Sequence, residues 1–315
     1  MLKKGKIYLV IGAVISVLVL GFISVTLADK KPTVVVVLKE GNSEYWKIMK
    51  AGVEKGFKDF DIDGKVIVPI KSTAEEQADI LMKAYKEKPD VIITAPISAS
   101  APVSHALETF TDVPILLVDS DLPLINKTAY IGTDNLDLGK KAGAFLASQM
   151  QPGNKIAIIA GDLSFSVFKE RIEGATIALQ NAGIKIAFVK SGIPDDPKRI
   201  QSLVTELLRD QPDIKGVVTT HDTIALPVIK EIKKQGLSIP VIGPDGLTEM
   251  LELISDDTVP GTMAQNPYDM GYLSVETAMK VIQGKNVEPF VDSGVDIIIK
   301  ENAQQRLKFY EKIVK

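Results

Sequence analysis

The residues around Trp46 return around Phe168, and this duplication narrows the possible folds more than any other feature of the 315-residue chain. Tyr45-Trp46-Lys47 is followed by Gly52 and Val167-Phe168-Lys169 by Gly174, so each central aromatic precedes its glycine by six positions and the two lie 122 apart. Pro89-Asp90 leads into VIIT, and Pro212-Asp213 leads, two residues later, into GVVT, at an offset of 123. Val113-Pro114 runs on to Asp119 and Ile239-Pro240 to Asp245, at an offset of 126, each aspartate five after its proline. Landmarks held in near-constant register imply one structural unit present twice.

Within each copy, short β-branched runs alternate with helical patterns. Strands are predicted at 33–38, 65–69, 91–94 and 115–118, with helices at 45–60, 74–87 and 102–110. The second copy repeats the order, with strands at 155–160, 184–189, 216–220 and 241–242 and helices at 166–182, 197–210 and 223–235. Strands without polar alternation, separated by helices, belong to parallel sheets covered on both faces. The predicted fold is therefore α/β: two similar Rossmann-like parallel α/β lobes.

After Asp245 the order changes. A strand at 261–265, a long helix at 267–283 and a strand at 295–300 exceed what a second copy needs. The chain is expected to cross back to the first lobe, and several crossings form a multi-strand hinge. On this reading lobe 1 comprises 33–134 plus about 266–292, and lobe 2 about 135–265 plus 293–315. The segment 302–315 places Leu307, Phe309, Tyr310, Ile313 and Val314 among polar residues and reads as an amphipathic helix docking on its own lobe.

Lys3, Lys4 and Lys6 precede a run of 22 uncharged residues, 7–28. As a helix that run is about 33 Å long, enough for a hydrocarbon core of about 30 Å. It reads as a retained signal anchor (a transmembrane helix) or as a cleaved signal peptide, and in both cases the remainder is exported. The chain has no cysteine, which excludes a disulfide framework, thiolate metal sites and a cysteine nucleophile. Its two histidines, His105 and His221, are too far apart for a local zinc motif, and neither a metal nor a cofactor is expected. A net charge of −3 argues against nucleic acid as a partner.

Ligands of open parallel sheets bind beyond the carboxyl ends of the strands. The residues following the predicted strands supply Asn42, Tyr45 and Trp46, then Asp119 and Ser120, then Lys169, His221, Asp245 and Gln265. This set suits a small sugar or polyol. A carboxylate accepts two hydroxyl hydrogen bonds at once, and an aromatic face covers the C–H side of a sugar ring. No glycine-rich phosphate loop and no G-x-S-x-G elbow occurs, so no enzyme is expected. The alternative is a carbohydrate-active hydrolase using cleft carboxylates.

The exported part resembles the bacterial periplasmic sugar-binding proteins of the ribose-binding type, which share their fold with the effector domains of lactose-repressor-like regulators. The resemblance spans roughly 33–300. It is carried by Tyr45-Trp46 with Lys50 and Gly52, by Pro114…Asp119, by Tyr130-Ile131-Gly132-Thr133-Asp134-Asn135 with Gly139, by Lys169-Glu170-Arg171…Gly174, and by Asp222…Ala225-Leu226, Pro244-Asp245-Gly246 and Ala264-Gln265. It implies that Tyr45 and Trp46 clamp a ring, that Asp119 and Asp245 are the paired aspartates, and that Gln265 sits at the last crossing. The resemblance also places Ser120 and Lys169 where ribose binders carry arginines, His221 where they carry asparagine, and the second-lobe aromatic at or near Pro197, which points away from ribose itself. The partners it implies are the permease of an ABC sugar importer or a sensor histidine kinase, read from an extracytoplasmic position tethered by 7–28.

Overall fold

The computed structural model describes residues 31–98 and 100–314. The run 7–28, and with it the choice between anchor and signal peptide, lies outside them. Among the described residues no helix is long and apolar enough to cross a membrane.

In chain order the elements are β1 (Thr33–Val37), α1 (Glu44–Asp59), β2 (Asp63–Ile67), α2 (Ala74–Lys86), β3 (Val91–Thr94), α3 (Ala101–Glu108), β4 (Ile115–Val118) and β5 (Lys127–Gly132). The second stretch is α4 (Asn135–Ala147), β6 (Lys155–Ile159), α5 (Ser166–Asn181), β7 (Lys185–Lys190), α6 (Pro197–Asp210), β8 (Ile214–Thr219), α7 (Asp222–Lys234), β9 (Val241–Ile242), β10 (Pro244–Asp245), α8 (Thr248–Ser255) and β11 (Thr262–Gln265). The chain ends with α9 (Pro267–Ile282), β12 (Phe290–Asp292), β13 (Val295–Ile298) and α10 (Lys300–Ile313). One sheet has the order β12-β5-β4-β3-β1-β2 and another β7-β6-β8-β9, and all neighbours in both are parallel. A small mixed sheet, β10-β11-β13, accompanies the second.

The unbroken apolar strands follow from this layering. In β1, Val34 and Val36 pack with Met49, Val53 and Met270 on one face, while Val35 and Val37 pack with Leu81 and Leu107 on the other. β6 divides in the same way: Ile156 and Ile158 meet Leu138 and Leu179, and Ala157 and Ile159 meet Ile200 and Val228. Beyond the first residue neither face of either strand reaches water, so neither 34–37 nor 156–159 contains a polar position.

The repeated glycines are contact points between helix backbones. A Cβ on Gly52 of α1 would stand 2.0 Å from the carbonyl oxygen of Tyr268, and one on Gly271 of α9 2.2 Å from that of Met49. In the second lobe, a Cβ on Gly174 of α5 would stand 2.1 Å from the oxygen of Leu136 beside α4 residues. The same device thus seals the first layer of helices in both lobes.

Five elements lack a local signal. β5 opens with the polar pair Lys127-Thr128 and is buried only from Ala129 onward. α4 carries Gly139 and Gly143, poor helix formers kept because Arg171 and Ala175 of α5 lie against them. α8 has eight residues and a leucine at its N-cap. β10 and β12 exist only through pairing with β11 and β5.

Three connections pass between the lobes, at 132–135, 265–267 and 292–295. They are bonded to one another: Ser293 N–H donates to Gly132 O at 2.8 Å, the Thr133 hydroxyl to Gln265 Oε1 at 2.9 Å, and Asn266 Nδ2 to Ser293 O at 3.2 Å. Helix α10 buries Ala303, Leu307 and Tyr310 in the second lobe's core. From there Arg306 reaches Asn266 Oδ1 at 2.6 Å, so the last helix braces a crossing from behind.

Gly52→Ala and Gly174→Ala are each expected to destabilise the protein by about 1–3 kcal/mol, because a methyl group must push two backbones apart. Urea unfolding should show a lowered midpoint with an unchanged slope; an unchanged midpoint would contradict the close contacts.

Candidate functional site: a cleft between the two sheets

The loops leaving β1, β4, β6 and β8 face one another across a cavity of about 260 Å³ that both lobes line. Asp119, directly after β4, has φ of 66°, and Asp245, at the end of β10, has φ of 140°. Both values are uncommon for a residue with a side chain, and such outliers gather at functional sites.

The two aspartates are held differently. Asp119 accepts from Lys39 Nζ at 2.8 Å, from the Tyr45 hydroxyl at 2.8 Å and from the Ser120 hydroxyl at 2.9 Å, and the Tyr130 hydroxyl donates to its backbone carbonyl at 3.0 Å. Burial alone would raise its carboxyl, but the Lys39 charge and these donors outweigh it and hold the group below the usual carboxylate range. Asp245 accepts from Gln265 Nε2 at 2.6 Å and from the backbone N–H of Asp222 at 3.2 Å, with Arg171 Nη1 at 3.5 Å. Here burial wins over Arg171, and the carboxyl is raised. Asp222, fully buried beside it, is pushed well up by burial and by the Asp245 charge.

Aromatic rings wall the space. Tyr45 and Trp46 meet edge to face with centroids 5.2 Å apart. Phe168 stacks on His221 at 4.8 Å with 10° between the planes. The Lys39 ammonium lies 5.4 Å from the Trp46 ring centre and 5.5 Å from that of Phe165, spanning the cleft between the lobes. His221 shares hydrogen bonds with Asp195 Oδ1 at 2.7 Å and with the Thr220 hydroxyl at 2.9 Å. Burial would raise the Asp195 carboxyl, but its bond to His221 holds it low. Among the described residues no group of three or more histidines and carboxylates is arranged to hold a metal ion.

Of the residues singled out from sequence, Tyr45, Trp46, Asp119, Ser120, His221, Asp245 and Gln265 line this cavity together. Asn42 and Lys169 do not: both are exposed and outside the lining. Asn42 sits in the bend ahead of α1, where its neighbour Ser43 faces the cleft instead. Lys169 lies on α5 between Phe168 and Arg171, which share the cavity-facing side at a spacing of three; a step of about 100° per residue turns Lys169 to solvent. The cationic group of the second lobe is therefore Arg171, and its aromatics are Phe165 and Phe168 rather than a residue near Pro197, which is also outside the lining. Lys39, Glu40, Phe165 and Arg171 also line the cavity without having been singled out for it, and Asp195, which follows β7, joins them.

A fold of two helix-covered parallel sheets, with a ligand-sized cavity between their carboxyl edges, defines a two-lobed binding protein. Residues 34–286 match the periplasmic binding protein domain, and the chain belongs to that family. Similar proteins include the ribose import binding protein of Bacillus subtilis, 28% identical over 80% of this chain and 82% of that protein. The D-allose-binding periplasmic protein of Escherichia coli is 27% identical over 81% of this chain and 86% of its own. Among solved structures, a glucose-galactose binding protein from Geobacillus stearothermophilus superposes with a TM-score of 0.79 at 27% identity, covering 87% of this chain and 99% of that one. A carbohydrate transporter solute binding protein from Agrobacterium radiobacter, solved with D-arabinose, gives 0.77 at 25% identity, covering 91% and 100%. The chain thus stands with binding proteins and not with enzymes, and the hydrolase alternative falls away.

Because its folded value is depressed, Asp119 contributes stability that is complete above its unfolded value of about 4 and is lost as pH falls through the lower folded value. The gap in melting temperature between the wild type and Asp119→Asn is expected to be large at pH 7 and to shrink toward pH 3. A gap that stays constant over that range would show that the Lys39–Asp119 pair does not hold the carboxyl charged.

Proposed function

We propose that this chain is an extracytoplasmic receptor that clamps one neutral monosaccharide or polyol between its lobes and presents the closed form to a membrane partner. The observation that carries this reading is the convergence of Asp119 and Asp245, one from each copy of the duplication, on a single cavity walled by Trp46 and Phe168. Its volume of about 260 Å³ lies just below the range of about 300–1,000 Å³ typical of small-molecule sites, and so favours a single sugar ring over an oligosaccharide. Hydroxyls donate to Asp119 and Asp245 and accept from Lys39, Arg171 and Gln265, while the rings cover the apolar faces. Several relatives are named for ribose, allose or galactose, which supports a pentose or hexose.

A ligand that touches both lobes favours the closed arrangement by the contacts it gains there. The closed form would then be read by the permease of an ABC sugar importer or by a sensor histidine kinase. Tethering through 7–28 would raise the local concentration beside such a partner.

Titration calorimetry against pentoses, hexoses and polyols is expected to find one site per chain. A sugar at 100 times its dissociation constant should add about 2.7 kcal/mol of stability in a melting experiment. Failure of every polyhydroxylated compound to raise the melting temperature would sink the sugar reading. Asp119→Ala and Asp245→Ala should each weaken binding by roughly 1.5–3 kcal/mol, the value of a charge-assisted hydrogen bond. Asn42→Ala and Lys169→Ala, which alter only solvent-facing groups, should leave affinity unchanged.

A further inference from the structure

We propose that Glu44 is a positioning residue that fastens the two lobes to each other directly, so that the protein itself holds part of the closed arrangement; this rests on the clamp reading above. The need for it arises at the start of α8. The N-cap there is Leu247, whose side chain cannot accept a hydrogen bond, and no side chain of α8 caps the helix. Two carboxylates from elsewhere accept from amides at and just before this N-terminus. Asp222, from the same lobe, accepts from the backbone N–H groups of Gly246 and Leu247, each at 2.8 Å. Glu44, the first residue of α1 in the other lobe, accepts from Thr248 N–H at 3.0 Å through Oε2, and the Thr248 hydroxyl donates to its Oε1.

Neither partner is free to follow the other. α1 is sealed against α9 by Gly52 and Gly271. α8 buries Met250, Leu251 and Ile254 in the second lobe. When the cleft opens, both bonds from Glu44 must break and the Thr248 amide loses its acceptor. A carboxylate at a helix N-terminus also gains from the helix dipole, so the contact is stronger than an ordinary surface hydrogen bond.

The contact also has a place in the site. Thr248 lies three residues beyond Asp245, at the far end of a turn in which Asp245 has φ of 140° and Gly246 of 76°. Asp222 holds the middle of that turn and Glu44 holds its end, and Leu247 between them lines the cavity. Glu44 itself is outside the lining. It acts by closing the lobes and steadying the turn that presents Asp245.

The absence of cysteine in the sequence allows one pair of spin labels to be introduced, at Lys50→Cys on α1 and Glu252→Cys on α8, both exposed. Distances between the labels are measured by pulsed electron resonance without ligand. The otherwise unaltered protein should show a population at short distance. Glu44→Ala should move that population to longer distances, and Glu44→Gln, which keeps an acceptor oxygen, should largely restore it. Thr248→Val, which removes only the hydroxyl bond, should give a smaller shift in the same direction and covers the case in which the alanine variant folds poorly. For a sugar found by calorimetry, Glu44→Ala should weaken binding about tenfold, as the binding-competent fraction falls. The ligand-free distances need no sugar, so the fastening is tested even if the sugar reading fails. A distance distribution that Glu44→Ala and Thr248→Val both leave unchanged overturns the proposal, and so does a loss of melting temperature alone, which would make Glu44 only a stabilising cap.

Discussion

A parallel sheet sends all its strands out through the same edge and must be covered on both faces, and the rest of this structure depends on that constraint. Covering both faces demands helices between strands, and this is why Val34 to Val37 divide between two separate apolar clusters. A common edge gathers the loops that follow β1, β4, β6 and β8. Duplication then sets two such edges against each other, and the cleft follows from the topology. The glycines repeated in α1 and α5 serve the same end, since they bring helix backbones close enough to complete the covering layer.

Within the cleft, burial of carboxylates is the dominant cost, and the two lobes meet it in different ways. Asp119 has three side-chain donors, one of them the ammonium of Lys39, and stays charged. Asp245 shares its surroundings with the buried Asp222, and its nearest guanidinium contact is the longer one. The two walls therefore hold their carboxyls differently, one kept below the usual carboxylate range by Lys39 and its donors, the other raised by burial. The repeat is symmetric in sequence and asymmetric in electrostatics.

The crossings are bonded to the cleft. Gln265, which donates to Asp245, also accepts from Thr133 in another crossing, so one side chain links the cleft carboxyl to a neighbouring crossing. Arg306 braces the same place from α10, which is anchored by Leu307 and Tyr310 in the second core. The three crossings are thus a bonded bundle with a helical support.

Much of this was legible in the sequence. The duplication, the apolar strands and the order of helices specify two parallel α/β lobes, because hydrophobic period and β-branching are local properties. The aspartates after Val118 and before Gly246 and the aromatic at 46 were legible too, since strand ends fix where loops gather. The sequence could not say which side of α5 faces the cleft, and so Lys169 stood for Arg171; a helix face is chosen by the layer it packs on. Nor could it show β12 pairing with β5, Lys39 reaching across to Phe165, or Glu44 capping α8, because those contacts join residues far apart in the chain. Local pattern determined the units; only their packing decided which side chains meet.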